Sequence, residues 1–170
     1  MNENILKKEV EDLNLDEFTS VKNLKQSCDS IPKKPGVYVV LGSNTDMPEF
    51  LKKGVGPEHH YNKKKDKYTP MNYHVDKLKS KWVDDTNILY IGKTDDTLYT
   101  RISTYINFGM GKDVAHRGGR AIWQLPDSDN LLIGWKTIEA PASALKIEKD
   151  MLKAFKIRHN DRLPFANWKE

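Results

Sequence analysis

The sequence is poor in cysteine and in long apolar runs. Of its 170 residues only Cys28 is a cysteine, so an internal disulfide and a zinc site of several cysteines are both excluded. No apolar run approaches the roughly 20 residues that a membrane-spanning helix needs. The first residues carry mixed charges and lack the apolar core of a secretory signal. These absences predict a protein of a reducing compartment without a membrane partner, and we expect it to be cytoplasmic.

Basic residues are in slight excess, and many of them are concentrated in one segment. Lysine and arginine number 28 against 24 acidic residues, which gives a formal net charge of +4. Residues 52–81 hold nine of the lysines, interleaved with Tyr61, Tyr68 and Tyr73 and followed by Trp82. Lysines among aromatic residues fit a surface that follows phosphates and stacks on bases. A solvated loop kept soluble by its lysines explains the same residues equally well.

Apolar periodicity predicts one α+β domain with a small three-stranded antiparallel sheet flanked by helices. Strands are predicted over residues 36–41, 87–92 and 131–138, and helices over about 4–14, 97–107 and 114–125, with a last helix from Pro141 to about 158. The core order is therefore β-β-α-α-β-α. Residues 1–32 are expected to form an N-terminal helical extension to a domain of residues 33–170. Residues 42–86 form a long insertion between the first two core strands, with a helix near 73–82.

Two tripeptides, GVY at 36–38 and YIG at 90–92, each join a tyrosine to a glycine in an apolar strand. Side chains alternate along a strand, so both phenols can share one face if the two strands pair. Arg101 lies eleven residues after Tyr90, and Tyr105 follows one helical turn later on the same face. Strand tyrosines are more often packing residues, and a lone helix arginine is more often a surface residue.

One carboxylate interrupts the apolar face of the last predicted helix. Glu148 lies among Leu145, Met151, Leu152 and Phe155. Burying an unpaired carboxylate is expensive, so this group must be paired, hold a metal ion or face a cleft. An ion pair with a lysine or an arginine near the surface is the plain alternative.

In this order the elements resemble the GIY-YIG nuclease family, which includes excision-repair nucleases, homing endonucleases and some restriction enzymes. The two tripeptides resemble its two named motif elements, and the likeness covers about residues 33–170. Arg101 is similar to the arginine of its first core helix, and Glu148 to its metal-binding glutamate. Asn167, in the segment PFAN at 164–167, is similar to the asparagine that closes its site. The chain departs from the family in the length of its insertion and in having Tyr105 where a histidine is common, with His116 further on.

The resemblance implies a metal-dependent endonuclease that hydrolyses phosphodiester bonds in double-stranded DNA. It implies Mg²⁺, or Mn²⁺, held by Glu148, and a tyrosine as general base, for which we favour Tyr38 and leave Tyr90 open. A nearby cation must lower the tyrosine pKa, and Lys93 is the candidate. Arg101 would stabilise charge on the phosphate. The implied catalytic residues are Tyr38, Tyr90, Lys93, Arg101, Tyr105, Glu148 and Asn167, the last to hydrogen-bond a tyrosine or to fix the site.

The biological role is predicted from the architecture. A short chain with an insertion suited to reading DNA favours a stand-alone restriction enzyme. A repair or mobile-element nuclease of the same family is the first alternative, and a catalytically silent nucleic-acid-binding module is the second. Candidate DNA contacts are Lys63, Lys64, Lys65, Arg117 and Arg120. A homodimer is possible, because double-strand cutting with one site per chain needs two copies or sequential nicking.

Overall fold

A computed structural model describes residues 3–116 and 118–168 and shows an α+β fold. The helices among these residues are α1 (Glu3–Glu11), α2 (Val21–Gln26), α3 (Val75–Lys81), α4 (Leu98–Gly109) and α5 (Ala144–Arg158). The strands are β1 (Glu17–Ser20), β2 (Gly36–Leu41), β3 (His59–Asn62), β4 (Lys67–Pro70), β5 (Ile88–Thr94) and β6 (Leu132–Thr137). Short 3-10 helices cover Arg120–Gln124 and Ser128–Asn130. None of the helices in these two ranges is both long and apolar enough to cross a bilayer.

The main sheet is antiparallel and has the strand order β1-β6-β2-β5. Strands β2, β5 and β6 confirm the three predicted strands. The predicted three-stranded sheet is wrong, because β1 adds a fourth strand that places Glu17 opposite Trp135 and Ser20 opposite Leu132. Strand β1 is only four residues long and largely polar, so it carries too little alternation to be recognised from sequence.

Two helix predictions need correction. The last helix begins at Ala144 and not at Pro141, because Ser143 is its N-cap and its side chain accepts a hydrogen bond from the Lys146 N–H. The α-helix predicted over 114–125 is absent from the described part of that range, where a loop leads into the 3-10 helix. Gly119 precedes this helix with a φ of +71°, and all four residues of 121–124 are buried, so no amphipathic face exists there.

The insertion contains structure of its own. Strands β3 and β4 form an exposed two-stranded hairpin, and α3 confirms the helix predicted near 73–82. Leu78 of α3 is fully buried in the larger core, and the Gln124 side chain bonds the backbone of both Tyr73 and Leu51. The insertion is therefore fastened to the domain at its base, and its hairpin contacts the domain again where His60 Nδ1 and the Tyr61 N–H bond the Asp113 carboxylate.

The sheet separates two apolar cores. Tyr38 and Tyr90 face the larger core, against α4. Val39 and Ile91 face the smaller core, where they lie with Leu152 of α5. Strand β5 is the last strand of the sheet.

Candidate active site

The two motif tyrosines lie side by side on the larger-core face of the sheet. Tyr38 is opposite Gly92 and Val40 is opposite Tyr90, so the phenols are diagonal neighbours with ring centroids 5.7 Å apart. A Cβ on Gly92 would lie 2.8 Å from Tyr38 Cζ and 2.8 Å from Tyr90 Cε1. The glycine of the second tripeptide is therefore needed because both rings pack onto its Cα.

Helix α4 brings an arginine and a third tyrosine to this pair. Arg101 Nε donates a hydrogen bond to the Tyr38 hydroxyl at 3.1 Å. The Tyr105 ring lies 6.2 Å from that of Tyr38 and 6.1 Å from that of Tyr90. Its hydroxyl donates to the Gly119 carbonyl at 2.5 Å, and the side chain is fully buried. Tyr105 thus fixes the loop that leads to the 3-10 helix and has no open path to a substrate.

The environments of the two motif tyrosines differ. Tyr38 is fully buried, and this burial raises its pKa well above the ordinary value, with Tyr90 adding to the rise and Arg101 opposing it. Burial also raises the pKa of Tyr90, but the hydrogen bond from Tyr38 and the charge of Arg101 lower it. Tyr90 keeps 7% of its surface exposed. Of the two phenols, Tyr90 is therefore the less deeply buried and the one whose pKa is raised less.

Glu148 lies on α5 near the same edge of the sheet. It is half-buried and forms no hydrogen bond or ion pair with any residue in the described ranges. Burial raises the pKa of Glu148, while the charges of Lys93 and Arg101 oppose the rise. The negative charge of Glu148 in turn raises the pKa of Tyr90, which places the carboxylate within electrostatic range of the tyrosine pair.

The sequence predicted Lys93 beside the motif tyrosines, but Lys93 lies on the other face of the sheet. By strand alternation it shares the smaller-core face with Ile91, and its ammonium group is paired with Asp95. The charge that opposes the rise in the pKa of both motif tyrosines comes from Arg101. Lys93 acts on Glu148 instead, and sequence alone could not tell which charged neighbour would reach the phenols.

A divalent cation would have one carboxylate to bind. Residues 3–116 and 118–168 contain no group of three histidine, cysteine, aspartate or glutamate side chains that could hold a metal. Glu148 nevertheless fits a hard cation that keeps most of its waters, since Mg²⁺ often uses only one or two protein carboxylates. Burial disfavours the ionised form of Glu148 and raises its pKa, and a bound cation would stabilise that form.

Asn167 fastens the free edge of β5. Its Oδ1 accepts from the Ile91 N–H at 2.9 Å, and its Nδ2 donates to the Ile91 carbonyl at 2.8 Å. The Ala166 N–H donates to the Leu89 carbonyl at 2.8 Å, so the C-terminal segment continues the ladder. Of the two roles expected for Asn167, the structure shows contact with the backbone between Tyr90 and Gly92 rather than with a phenol.

His116 is a buried site residue whose position the sequence left open. Its ring stacks on Tyr105 with centroids 4.4 Å apart, and Nε2 donates to the Gly118 carbonyl at 2.7 Å. Burial and the charge of Arg101 lower the pKa of His116 to about 3, so the ring is neutral at physiological pH. Its Nδ1 is buried without a partner among the described residues. His116 therefore supports Tyr105 and does not transfer protons as a cation.

The glycine pair after His116 covers the site. A Cβ on Gly118 would lie 2.6 Å from the Tyr90 hydroxyl and 3.2 Å from Arg101 Nη2. A Cβ on Gly119 would lie 2.7 Å from the Tyr105 hydroxyl. A backbone that approaches three side chains this closely has no room for side chains of its own. The two consecutive glycines in the sequence were therefore the signal that could have indicated this close approach.

The predicted DNA contacts are spread over several places. Lys63, Lys64 and Lys65 are exposed around the turn of the β3–β4 hairpin. Arg117 lies outside the described residues. Arg120 is half-buried, with its guanidinium 4.6 Å from the Tyr73 ring centroid. Only Arg120 among the described contacts adjoins the candidate site, because it directly follows the glycine pair.

The assembled edge of β5 combines a tyrosine pair, a hydrogen-bonded arginine and a carboxylate without a described partner. Such a set can accept a proton, stabilise negative charge and hold a hard cation. No protein-family model matches the sequence, and no curated protein matches it either. The resemblance noted above therefore depends on these residues and on their arrangement.

Proposed function

We propose that this protein is a metal-dependent endonuclease that hydrolyses phosphodiester bonds in double-stranded DNA. The observation that carries the proposal is the meeting of Tyr38, Tyr90, Arg101 and Glu148 at one edge of the sheet. These four residues come from two strands and from helices on opposite faces. A packing role explains either tyrosine alone, but it does not explain a carboxylate left without a described partner beside them.

Tyr90 is the better placed general base in this geometry. It is the less deeply buried of the two phenols, and it receives a hydrogen bond from Tyr38 that favours its anion. In the proposed reaction Tyr90 takes a proton from a water molecule that attacks the phosphorus. Tyr38, the base favoured from the sequence, remains the alternative; it would accept the same proton through Tyr90. Arg101 is positioned to hold either phenolate and to stabilise negative charge on the phosphate.

Glu148 would hold the cation, Mg²⁺ or Mn²⁺. When bound, the cation supplies positive charge to the scissile phosphate and to its leaving oxygen. Burial raises the pKa of Glu148, and the charge of Lys93 opposes that rise and so favours the ionised form that a cation requires. Asn167 keeps β5 in register, and thereby the position of Tyr90 relative to the carboxylate.

Digestion of plasmid DNA tests the activity. The purified protein is incubated with supercoiled plasmid and Mg²⁺, then with EDTA, and then as the Glu148→Gln variant. We expect cleavage with Mg²⁺ alone, and none in the other two reactions. Asp150→Asn is the matched control, since Asp150 lies on the same helix but is exposed and paired with Lys146. DNA binding without cleavage in Mg²⁺ or Mn²⁺ would instead support the silent binding module.

A restriction-type role is supported by the insertion, which adds a lysine-rich hairpin to the domain. Sequencing of the fragment ends tests this role. Ends that share one short sequence support site-specific restriction, whereas random ends or nicks confined to damaged DNA support a repair nuclease. Sedimentation of the protein with and without a DNA duplex tests the proposed homodimer.

A further inference from the structure

A stack of two cations and two aromatic rings lies at the base of the insertion. The Tyr73 and Trp168 rings have centroids 3.8 Å apart. The Arg120 guanidinium lies 4.6 Å from the Tyr73 centroid, and Lys77 Nζ lies 4.5 Å from the Trp168 centroid. Lys81, one helical turn after Lys77, lies 6.0 Å from the same indole. We call Arg120, Tyr73, Trp168 and Lys77 the cation–aromatic stack.

The charges of the stack are not neutralised by described carboxylates. Arg120, Lys77 and Lys81 form no ion pair within residues 3–116 and 118–168, and Asp76 on the same helix pairs with none of them. By contrast, Lys146 on α5 is paired with Asp150 at 2.6 Å. Holding three like charges near two rings costs repulsion that a polyanion would remove.

The stack is joined to the candidate active site at two points. Arg120 follows Gly119, whose carbonyl accepts the Tyr105 hydrogen bond. Trp168 follows Asn167, whose amide holds Ile91 in β5. Two members of the stack are therefore direct chain neighbours of residues that contact the site.

We propose that the cation–aromatic stack binds the phosphate backbone of the DNA strand that flanks the scissile phosphate. The proposal rests on the proposed function, because it assigns part of the DNA contact to the same site. The rings hold the cations and do not stack on bases, since Arg120 covers one side of Tyr73 and Lys77 lies over Trp168. Arg120 contacts Tyr73, while Lys77 Nζ lies 4.5 Å from the Trp168 centroid and 5.8 Å from that of Tyr73, and each cation can bind its own phosphate.

The test measures DNA binding without cleavage. All proteins carry Glu148→Gln, and a fluorescent duplex is titrated by anisotropy at several salt concentrations. Lys77→Gln should lower the affinity several-fold and reduce the salt slope by about 1, because one phosphate contact is lost. Lys77→Arg should retain both. Trp168→Leu keeps the charge but removes its support, so we expect it to weaken binding with little further loss when combined with Lys77→Gln.

Lys153→Gln is the matched control, because Lys153 is an exposed lysine of α5 without an ion pair among the described residues. Equal affinity and equal salt slope for Lys77→Gln and Lys153→Gln would overturn the role of the stack while leaving the nuclease proposal intact. Failure of the parent protein to bind the duplex at any salt concentration would instead overturn the proposed function together with this inference. Thermal unfolding of each variant confirms that a loss of affinity is measured on folded protein.

Discussion

Replacement of Asn167 by alanine should weaken both the fold and the site. Asn167 is 7% exposed, and its amide satisfies the N–H and the carbonyl of Ile91 at the free edge of β5. Alanine leaves both backbone groups without this partner. Each buried group left unsatisfied costs about 1–3 kcal/mol, so the free energy of unfolding should fall by roughly 2–6 kcal/mol.

Urea unfolding followed by circular dichroism measures this loss. For a chain of this length each kcal/mol corresponds to about 2–4 °C in Tm, so the variant should also melt roughly 4–24 °C lower. Asn130→Ala is the control, because Asn130 is exposed and its side chain forms no hydrogen bond within the described residues. It should change the free energy of unfolding by less than about 0.5 kcal/mol.

Activity gives a second measure of the same contact. Ile91 lies between Tyr90 and Gly92, so a loosened edge should misplace the Tyr90 phenol and lower kcat at temperatures where the variant is folded. If Asn167→Ala unfolds like the Asn130→Ala control, the two hydrogen bonds do not stabilise the edge and the reasoning is refuted. If stability falls but kcat is unchanged in the folded variant, Asn167 stabilises the fold without positioning the base.

Three further predictions concern the residues around this edge. Tyr90→Phe should abolish cleavage and Tyr38→Phe should lower it, while Tyr68→Phe, at an exposed tyrosine, is the control. Burial raises the pKa of both motif tyrosines, and a general base must be deprotonated, so kcat/KM should rise with pH over about 6–9. A flat pH profile would contradict a tyrosine base. Glu148→Gln should lower cleavage at least about 100-fold. It should change the free energy of unfolding in urea by less than about 1 kcal/mol, because burial raises the pKa of Glu148 and folding therefore disfavours the ionised carboxylate. A loss of stability above about 2 kcal/mol would mean that the carboxylate is paired. Gly92→Ala should lower the free energy of unfolding by about 1–3 kcal/mol, since its Cβ would clash with both rings, and an unchanged urea midpoint would show that the rings have room to move.

Local periodicity explains why much of the site could be predicted from the sequence. Strand alternation predicted that Tyr38 and Tyr90 share one face if their strands pair, and the pairing of β2 with β5 confirms it. Glu148 was recognisable because a charge on an apolar helix face contradicts the pattern around it. Both signals depend on residues that are close together in the sequence.

Contacts between distant segments could not be predicted in this way. The partner of Asn167 is a backbone 76 residues earlier, and no side-chain pattern marks it. The choice between Arg101 and Lys93 as the cation beside the phenols depends on which face of the sheet each reaches, and this is fixed by packing. The same holds for His116, which is an ordinary loop histidine until its ring is seen on Tyr105.

The long insertion between β2 and β5 does not disturb the pairing of these two strands. Strands β2 and β5 pair directly from Gly36 opposite Thr94 to Val40 opposite Tyr90, although more than forty residues separate them. Closing a longer loop adds only about 0.6 kcal/mol for each doubling of its length, and the burial of Leu78 contributes more than that. The insertion therefore leaves the tyrosine register unchanged while α3 brings Lys77 beside Trp168.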